Sequence, residues 1–195
     1  MSNSSRQFII GLSGRRGSGK TTVASMIKSK WNFPIYSFSQ PLKEMCKQGF
    51  CLTDYDLNDI VQKEKVVPTW ALSPRKIMNK LDSDCVRKCF GQDHFVHLMR
   101  ARLRSDGSPF VVIDDVQSAN EFRFVQEQGG VVIRVVRDSA VHDKRLHVSG
   151  TEQARMMPEL LLNNTFDLSQ LQRQCDEVMI TTFDCFKQTT TKLDH

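Results

Sequence analysis

Gly14-Arg15-Arg16-Gly17-Ser18-Gly19-Lys20-Thr21, near the start of this 195-residue chain, fits the pattern G-x-x-x-x-G-K-[ST] of a phosphate-binding loop. The apolar run at 8–12 precedes the loop and predicts a short buried strand, and residues 22–30 predict a helix. A strand, this loop and a helix in that order are the context in which the pattern is specific. We therefore set aside the alternative of a chance glycine-rich turn.

The residue types of the loop suit a polyphosphate ligand. Glycines let the backbone approach the anion and adopt angles that a β-carbon disfavours. Successive N–H groups and the positive end of the helix dipole then face the anion. Lys20 is expected to reach the β- and γ-phosphates, and the Thr21 hydroxyl to ligate Mg²⁺. The cofactors predicted here are ATP and Mg²⁺, and the predicted ATP-binding residues are Gly14, Arg15, Arg16, Gly17, Ser18, Gly19, Lys20, Thr21 and Thr22.

Strand-like apolar runs alternate with helical segments along the rest of the chain. The runs lie at 8–12, 35–38, 110–113, 131–136 and 160–162. Helices are predicted at 22–30, 41–49, from Ser73-Pro74, at 93–104, from the capping box of Ser118 and Glu121, and from Ser169. Residues 50–72 predict irregular structure or short helices. Such alternation predicts an α/β fold with a three-layer, doubly wound parallel sheet.

Composition narrows the class of protein. The chain carries 27 Lys and Arg against 22 Asp and Glu, a net charge of +5, with no basic arm that would favour a nucleic-acid partner. No apolar run approaches the length of a membrane span, and the N-terminus is polar. We therefore expect a cytoplasmic protein without a membrane partner. Its six cysteines include no C-x-x-C, so free thiols are expected.

Four neighbouring residues, Cys85, Cys89, His94 and His97, raise the alternative of a zinc site. Their spacing is not that of a zinc finger or ribbon. Cys85 and Cys89 are one helical turn apart, and the simpler expectation is that both pack inward.

A pair of carboxylates follows the predicted strand at 110–113. Ligands of open parallel sheets bind at the carboxyl ends of the strands, which selects Asp114 and Asp115. One of the two, Asp115 by preference, is predicted to hold Mg²⁺ directly or through water. The alternative is an Asp that only caps a helix or forms a turn.

A polar segment rich in cations, residues 137–155, follows the strand at 131–136. It carries Arg137, Lys144, Arg145 and Arg155. Two interpretations are equally supported: a solvated loop, or a mobile lid that brings guanidinium groups to a transferring phosphoryl group.

An ordered set of motifs resembles the deoxynucleoside monophosphate kinases of large phages and related viruses. The combination is far more specific than the loop alone and extends from about residue 8 to 180. After the loop come Phe38-x-x-Pro41-Leu42-Lys43, Ser73-Pro74-Arg75 with Arg87, Ile113-x-Asp115-Val116-x-x-x-Asn120-Glu121, Gly129-Gly130-Val131-x-Ile133, and His147-x-Ser149 near Glu152.

The resemblance implies a P-loop kinase that transfers the γ-phosphoryl group of ATP to a (deoxy)nucleoside 5′-monophosphate. It implies one domain over 1–195, with a helical acceptor-binding region at about 44–108 and a short lid at about 137–158. A viral kinase of this type would act in the host cytoplasm. The implied catalytic residues are Lys20, Asp115 and Arg137. The implied substrate-binding residues are Lys43, Arg75, Arg87, Phe95, Asp115, Gln117 and Glu121, and the lid residues are Arg145, His147 and Arg155.

Some positions depart from the family pattern. Gln117 replaces an Arg, Asp82-Ser83-Asp84 replaces Gly-Thr-Glu, Phe95 replaces a Trp, and Gly150 and Thr151 lengthen the lid motif. The loop itself is intact, so these changes bear on the acceptor. Arg75 is predicted in the first turn of a helix, where the dipole disfavours a cation, and this indicates an anionic ligand there.

Three alternatives remain beside a monophosphate kinase. They are another P-loop small-molecule kinase such as a dephospho-coenzyme A kinase-like enzyme, a catalytically weakened nucleotide-binding module, and a P-loop enzyme directed at nucleic acid. The sequence leaves open the base, the sugar and the oligomeric state, a homodimer included.

Overall fold

A five-stranded parallel sheet forms the centre of one of the two compact units of the chain, unit 1, which comprises Met1–Ser37 and Leu103–His195. In the computed structural model, residues 7–137, 158, 160–165 and 167–191 are described, with side chains up to residue 183. The strand order is β2-β3-β1-β4-β5, and every neighbouring pair is parallel. The strands are β1 (Phe8–Ser13), β2 (Ile35–Tyr36), β3 (Phe110–Ile113), β4 (Val131–Val136) and β5 (Leu160–Asn163).

Helices account for most of the remaining described chain. In chain order they are α1 (Lys20–Trp31), α2 (Gln40–Phe50), α3 (Asp54–Asn58), α4 (Pro74–Asn79), a π-helix (Lys80–Arg87), α5 (Lys88–Phe90), α6 (His94–Asp106), α7 (Ala119–Glu127) and α8 (Leu168–Thr191). None of the helices in the described parts of the chain is both long and apolar enough to cross a lipid bilayer.

The sheet is covered on both faces, which confirms the predicted three-layer architecture. Ile10 and Leu12 belong to a core that includes residues of α1 and α8 such as Ile27 and Leu171. A β-carbon built on Gly11, between them, would lie 3.2 Å from Val125 of α7. Because successive strand residues point to opposite faces, α7 covers the face opposite α1 and α8.

The central strand, β1, is buried along its whole length, as expected for a parallel strand with helices on both faces. Phe8 to Gly11 are in register with β3, and Ile10 to Ser13 are in register with β4. Gly130, just before β4, lies so close to β1 that a β-carbon there would come within 2.2 Å of the Ile9 carbonyl oxygen. A residue without a side chain is therefore required at the entry to β4.

Unit 2, Phe38–Arg102, is helical. Its own small core contains Cys46, Leu52, Leu57 and Ile77. The segment expected to be irregular contains α3 and two short 3₁₀ turns, Gln62–Glu64 and Pro68–Trp70. The start predicted for α4 is observed, since the Ser73 hydroxyl accepts a hydrogen bond from the backbone N–H of Lys76 at 3.4 Å. The predicted acceptor region, 44–108, overlaps this unit, and its role stays a prediction.

Two local expectations were wrong. Asp167, not Ser169, caps α8, because its carboxylate accepts hydrogen bonds from the Gln170 N–H at 2.8 Å and the Ser169 hydroxyl at 2.6 Å. Cys85 and Cys89 do not pack inward but are exposed. The five cysteines with described side chains are free thiols, as predicted.

Candidate functional site

The phosphate loop joins the end of β1 to the first residue of α1, as the motif predicts. Gly14 has a φ of +139°, and a β-carbon there would lie 2.3 Å from the carbonyl oxygen of Val135 on β4. Only glycine fits this position, because both the backbone angle and the space exclude a side chain. The loop is thus shaped by the neighbouring strand as well as by its own sequence.

Lys20 lies folded back over its own loop. Its Nζ donates to the carbonyl oxygens of Gly14 at 2.8 Å and Arg15 at 3.1 Å. Burial lowers the pKa of Lys20, and the nearby carboxylates of Asp115 and Asp114 oppose that shift. The ammonium group therefore lies within electrostatic reach of both carboxylates that follow β3.

Asp115 is oriented from a second strand end. The hydroxyl of Ser37, the residue after β2, donates to Oδ2 of Asp115 at 2.5 Å. The backbone N–H of Asp114 donates to the Tyr36 carbonyl at 3.0 Å. These contacts hold the carboxylate pair beside the end of β2. Lys20, Asp115 and Ser37 thus come together at the carboxyl ends of β1, β3 and β2.

The loop region fits a polyphosphate and a divalent cation. Ser13 and Ser18 each bury a hydroxyl that has no hydrogen-bond partner among the described residues. Thr21 is exposed in the first turn of α1, and Asp115 is half-buried. Hydroxyl and carboxylate oxygens are ligands that Mg²⁺ prefers. Within the described chain no three His, Cys, Asp or Glu side chains gather as a metal site, so the zinc alternative has no cluster to support it.

The three cations expected at the acceptor all lie in unit 2. Lys43 Nζ donates to Oδ1 of Asn58 at 2.9 Å. Arg75 Nε pairs with the Glu64 carboxylate at 2.5 Å. Glu64 thus supplies an anion for Arg75 from within the chain, so the position of Arg75 in the first turn of α4 no longer requires an anionic ligand.

Of the three cations, Arg87 has the side chain that is held in place by the most contacts among the described residues. Its Nε donates to Oδ1 of Asp82 at 2.7 Å, its Nη1 donates to the Gln92 carbonyl at 3.0 Å, and its guanidinium lies 5.3 Å from the Phe95 ring centroid. Asp82 and Arg87 are five residues apart within the π-helix, whose i→i+5 repeat brings them to the same side. Phe95 is 3% exposed and supports the cation from a rigid position.

The other predicted acceptor residues lie in unit 1. Oε2 of Glu121 accepts hydrogen bonds from the N–H groups of Gln117 at 2.8 Å and Ser118 at 3.0 Å, and Glu121 is 4% exposed. This is the predicted capping box, so Glu121 shapes the start of α7. The side chain of Gln117 is exposed. Contact of either residue with a substrate stays a prediction.

The predicted lid lies almost entirely outside the described residues. Arg137 is described and is exposed just after β4. Arg145, His147 and Arg155 fall outside the described chain.

Sequence reasoning missed three residues of the site: Ser13, Ser37 and Asn164, whose Nδ2 donates to the Ser18 carbonyl of the loop at 2.8 Å. Each ends or directly follows a strand, at the edge of the sheet where ligands bind. The rule that selected Asp115 could have selected all three. Ser13 and Ser37 each directly precede a predicted motif but are not part of it, and no motif lies beside Asn164.

Comparisons of structure define the class of protein. Shikimate kinase from Bacteroides thetaiotaomicron matches with a TM-score of 0.53 and 11% identity over 89% of this chain and 97% of its own. The protein TT1252 from Thermus thermophilus matches with a TM-score of 0.52 and 20% identity over 90% of this chain and 98% of its own. The chain has the fold of a P-loop kinase.

Comparison of sequence identifies the family. The chain is 33% identical over 149 residues to a protein of Acanthamoeba polyphaga mimivirus named "Putative deoxynucleotide monophosphate kinase", covering 69% of this chain and 77% of the relative. No family model matches the sequence. At this identity and coverage the chain belongs to the deoxynucleotide monophosphate kinase family, as its motifs indicated.

Proposed function

We propose that this protein transfers the γ-phosphoryl group of ATP to a (deoxy)nucleoside 5′-monophosphate, giving ADP and the nucleoside diphosphate. The observation that carries the proposal is the convergence of Lys20, Asp115 and Ser37 beside the phosphate loop. The relationship to the mimivirus protein supports a nucleotide as the acceptor. It also supports a viral origin and action in a host cytoplasm.

The chemistry asks little of the side chains. The acceptor phosphate is already an anion near neutral pH, because its second pKa is about 6, so no general base is required. An oxygen of the monophosphate forms a bond to the γ-phosphorus while the bond to the β,γ-bridging oxygen breaks, and ADP leaves. The protein must align two anions that repel each other and neutralise their charge.

On the donor side, the loop amides and Lys20 bind the polyphosphate. Lys20 is held by carbonyl oxygens of its own loop and has to exchange at least one of them for phosphate oxygens. Thr21 and Asp115 are the residues that would hold Mg²⁺, which when bound supplies charge neutralisation to the β- and γ-phosphates. Ser37 keeps the Asp115 carboxylate in one orientation.

On the acceptor side, we assign the monophosphate to Arg87, Lys43 and Arg75, in decreasing order of structural support. Arg87 is fixed by Asp82 and by the Gln92 carbonyl, so little side-chain entropy is lost when it binds a phosphate. Arg75 has to weaken its pair with Glu64 first. Arg137, with Arg145, His147 and Arg155, would supply the lid groups that stabilise charge on the transferring phosphoryl group.

A coupled assay of ADP release tests the proposal. The purified chain is incubated with ATP, Mg²⁺ and each ribo- and deoxyribonucleoside monophosphate in turn, with Lys20→Ala as the inactive control. Dephospho-coenzyme A and shikimate serve as acceptors of other P-loop kinases. We expect turnover with one or more nucleoside monophosphates. ADP release no greater than that of Lys20→Ala with every monophosphate would refute the proposal, and ATP binding without turnover would identify a nucleotide-binding module.

A further inference from the structure

Asn164 links the end of β5 to the phosphate loop. It directly follows β5 and is 8% exposed. Its backbone N–H donates to the Val136 carbonyl at 2.7 Å, which fixes its position beside β4. Its side-chain Nδ2 donates to the carbonyl oxygen of Ser18 at 2.8 Å in a buried hydrogen bond. A buried side chain far along the chain thus holds one peptide group of the loop.

Gly19 and Asn164 fit closely together. Gly19 has a φ of +102°, and a β-carbon built on it would lie 2.2 Å from Nδ2 of Asn164. Any side chain at position 19 would therefore displace the amide from the Ser18 carbonyl. The absence of a side chain at Gly19 lets Asn164 reach the loop backbone.

The hydrogen bond to Ser18 also determines where the next N–H group points. The Ser18 carbonyl and the Gly19 N–H belong to one planar trans peptide, so they point in opposite directions. Holding the carbonyl against Asn164 directs the Gly19 N–H away from it. Among the described residues, that N–H donates no hydrogen bond to the protein. It is therefore a donor whose direction is fixed before a ligand binds.

We propose that Asn164 is a positioning residue, which sets the phosphate loop in the conformation that binds the nucleotide polyphosphate. It acts through the Ser18–Gly19 peptide and not by contact with the reacting atoms. The inference rests on the proposed function only in taking ATP as the ligand of the loop. It deepens that function by assigning a role to the end of β5, which no motif marks.

The test compares three variants of the full chain. Asn164→Ala removes the amide, and Asn164→Asp keeps its shape but places an acceptor against the Ser18 carbonyl. Asn163→Ala is the matched control, because Asn163 is the adjacent residue, has an exposed side chain, and donates no side-chain hydrogen bond to the loop among the described contacts. The dissociation constant of ATP with Mg²⁺ is measured by calorimetry, and folding is checked by circular dichroism and thermal unfolding.

We expect Asn164→Ala to raise the dissociation constant of ATP about tenfold, which corresponds to about 1.4 kcal/mol, and Asn164→Asp to raise it further. Asn163→Ala should stay within about twofold of the wild type. Wild-type affinity in folded Asn164→Ala and Asn164→Asp would overturn the inference. So would a loss of affinity that only follows the unfolded fraction, because that loss would indicate a purely structural role.

Amide hydrogen exchange of the wild type keeps the inference testable if the variants do not fold. ATP should slow exchange at the Gly19 amide, and unchanged exchange there would also overturn the inference. The proposed function fails differently. If the wild type binds ATP but turns over no monophosphate, the monophosphate kinase assignment is wrong, whereas the effect of Asn164 on ATP affinity is still measured.

Discussion

The Ser37 hydroxyl donates to Oδ2 of Asp115 at 2.5 Å, and this contact joins the ends of β2 and β3. A hydroxyl in this position limits rotation of the carboxylate. The carboxylate is the group that we assign to Mg²⁺, so its orientation bears on metal binding. We therefore expect Ser37 to influence catalysis through Asp115.

Replacing Ser37 tests that link. We expect Ser37→Ala to lower kcat about three- to tenfold and to raise the Mg²⁺ concentration that gives half-maximal rate, because one hydrogen bond to a charged group is lost. Ser37→Thr should restore most of the activity. Ser25→Ala, on the exposed side of α1, is the control and should leave both values unchanged. If the Mg²⁺ dependence of Ser37→Ala is unaltered, Ser37 does not influence metal binding and this prediction is wrong.

Replacing Lys20 by Met should stabilise the protein without ATP while it abolishes turnover. Burial lowers the pKa of Lys20, so the folded state holds this ammonium at a cost that the uncharged Met avoids. We expect Lys20→Met to have a higher Tm than the wild type in the absence of ATP. Phosphoryl transfer should fall about 100-fold or more. Lys28→Met, on the exposed face of the same helix, should give no such rise.

The lowered pKa of Lys20 also predicts how the difference in stability between the wild type and Lys20→Met changes with pH. Between the lowered pKa of Lys20 and its ordinary value of 10.5, the unfolded chain binds more protons at this site than the folded chain. Stability of the wild type therefore rises with pH across that window, relative to Lys20→Met. Thermal unfolding from neutral pH towards pH 10.5 should show the gap in Tm narrowing. A gap that widens would contradict the buried-ammonium explanation.

We expect Arg87 to affect binding of the acceptor monophosphate and not binding of ATP. A Lys at this position cannot make both hydrogen bonds of the guanidinium and also stack on Phe95. We expect Arg87→Lys to raise KM for the monophosphate about tenfold, with KM for ATP within about twofold. Asp82→Asn should have a smaller effect in the same direction. Lys88→Ala, at the next and exposed position, is the control. A change in KM for ATP alone would contradict this prediction and would indicate that Arg87 contributes to ATP binding.

Two glycines should respond to alanine in opposite ways. Gly130→Ala places a β-carbon 2.2 Å from the Ile9 carbonyl oxygen. Neither strand can easily shift to relieve this clash, because the atom involved belongs to the backbone of β1. We expect it to lower the free energy of unfolding by about 3 kcal/mol. Gly49→Ala, in α2 with no atom within 4 Å of the new carbon, should raise it by about 0.5–1 kcal/mol. Urea unfolding followed by circular dichroism measures both, and equal effects would contradict the close approach of Gly130.

The elements that sequence predicted well are those whose signal is local. β3 and β4 match the apolar runs residue by residue, and Ser73 and Ser118 cap the helices expected of them. β2 is shorter than its apolar run, because only Ile35 and Tyr36 pair with β3. An apolar run shows what is buried, but the partner strand decides how far the ladder extends.

The site was predictable where one segment carries the chemistry or, as at Asp115, where a carboxylate follows the end of a strand. The loop from Gly14 to Thr21 is a contiguous motif, so it could be identified from sequence. Ser37 contacts a residue 78 positions away, and Asn164 contacts one 146 positions away. Residues so far apart in the chain form no motif of fixed spacing. A single sequence therefore cannot show that they are in contact. The pairing of Asp82 with Arg87 lies within the π-helix Lys80–Arg87, and no residue pattern in the sequence indicated a π-helix.

The strand order has a consequence for nucleotide release. β1, which carries the loop, is the middle strand, but Ser37 and Asn164 follow the two outermost strands, β2 and β5. Outer strands fray more readily than a central one. If the loop binds ATP as we propose, local opening of β2 or β5 would weaken ATP binding while β1 at the centre of the sheet stays paired. We therefore expect ATP to reduce local opening of β2 and β5 more than that of β1. ATP release and local opening of the two outer strands would then be linked equilibria.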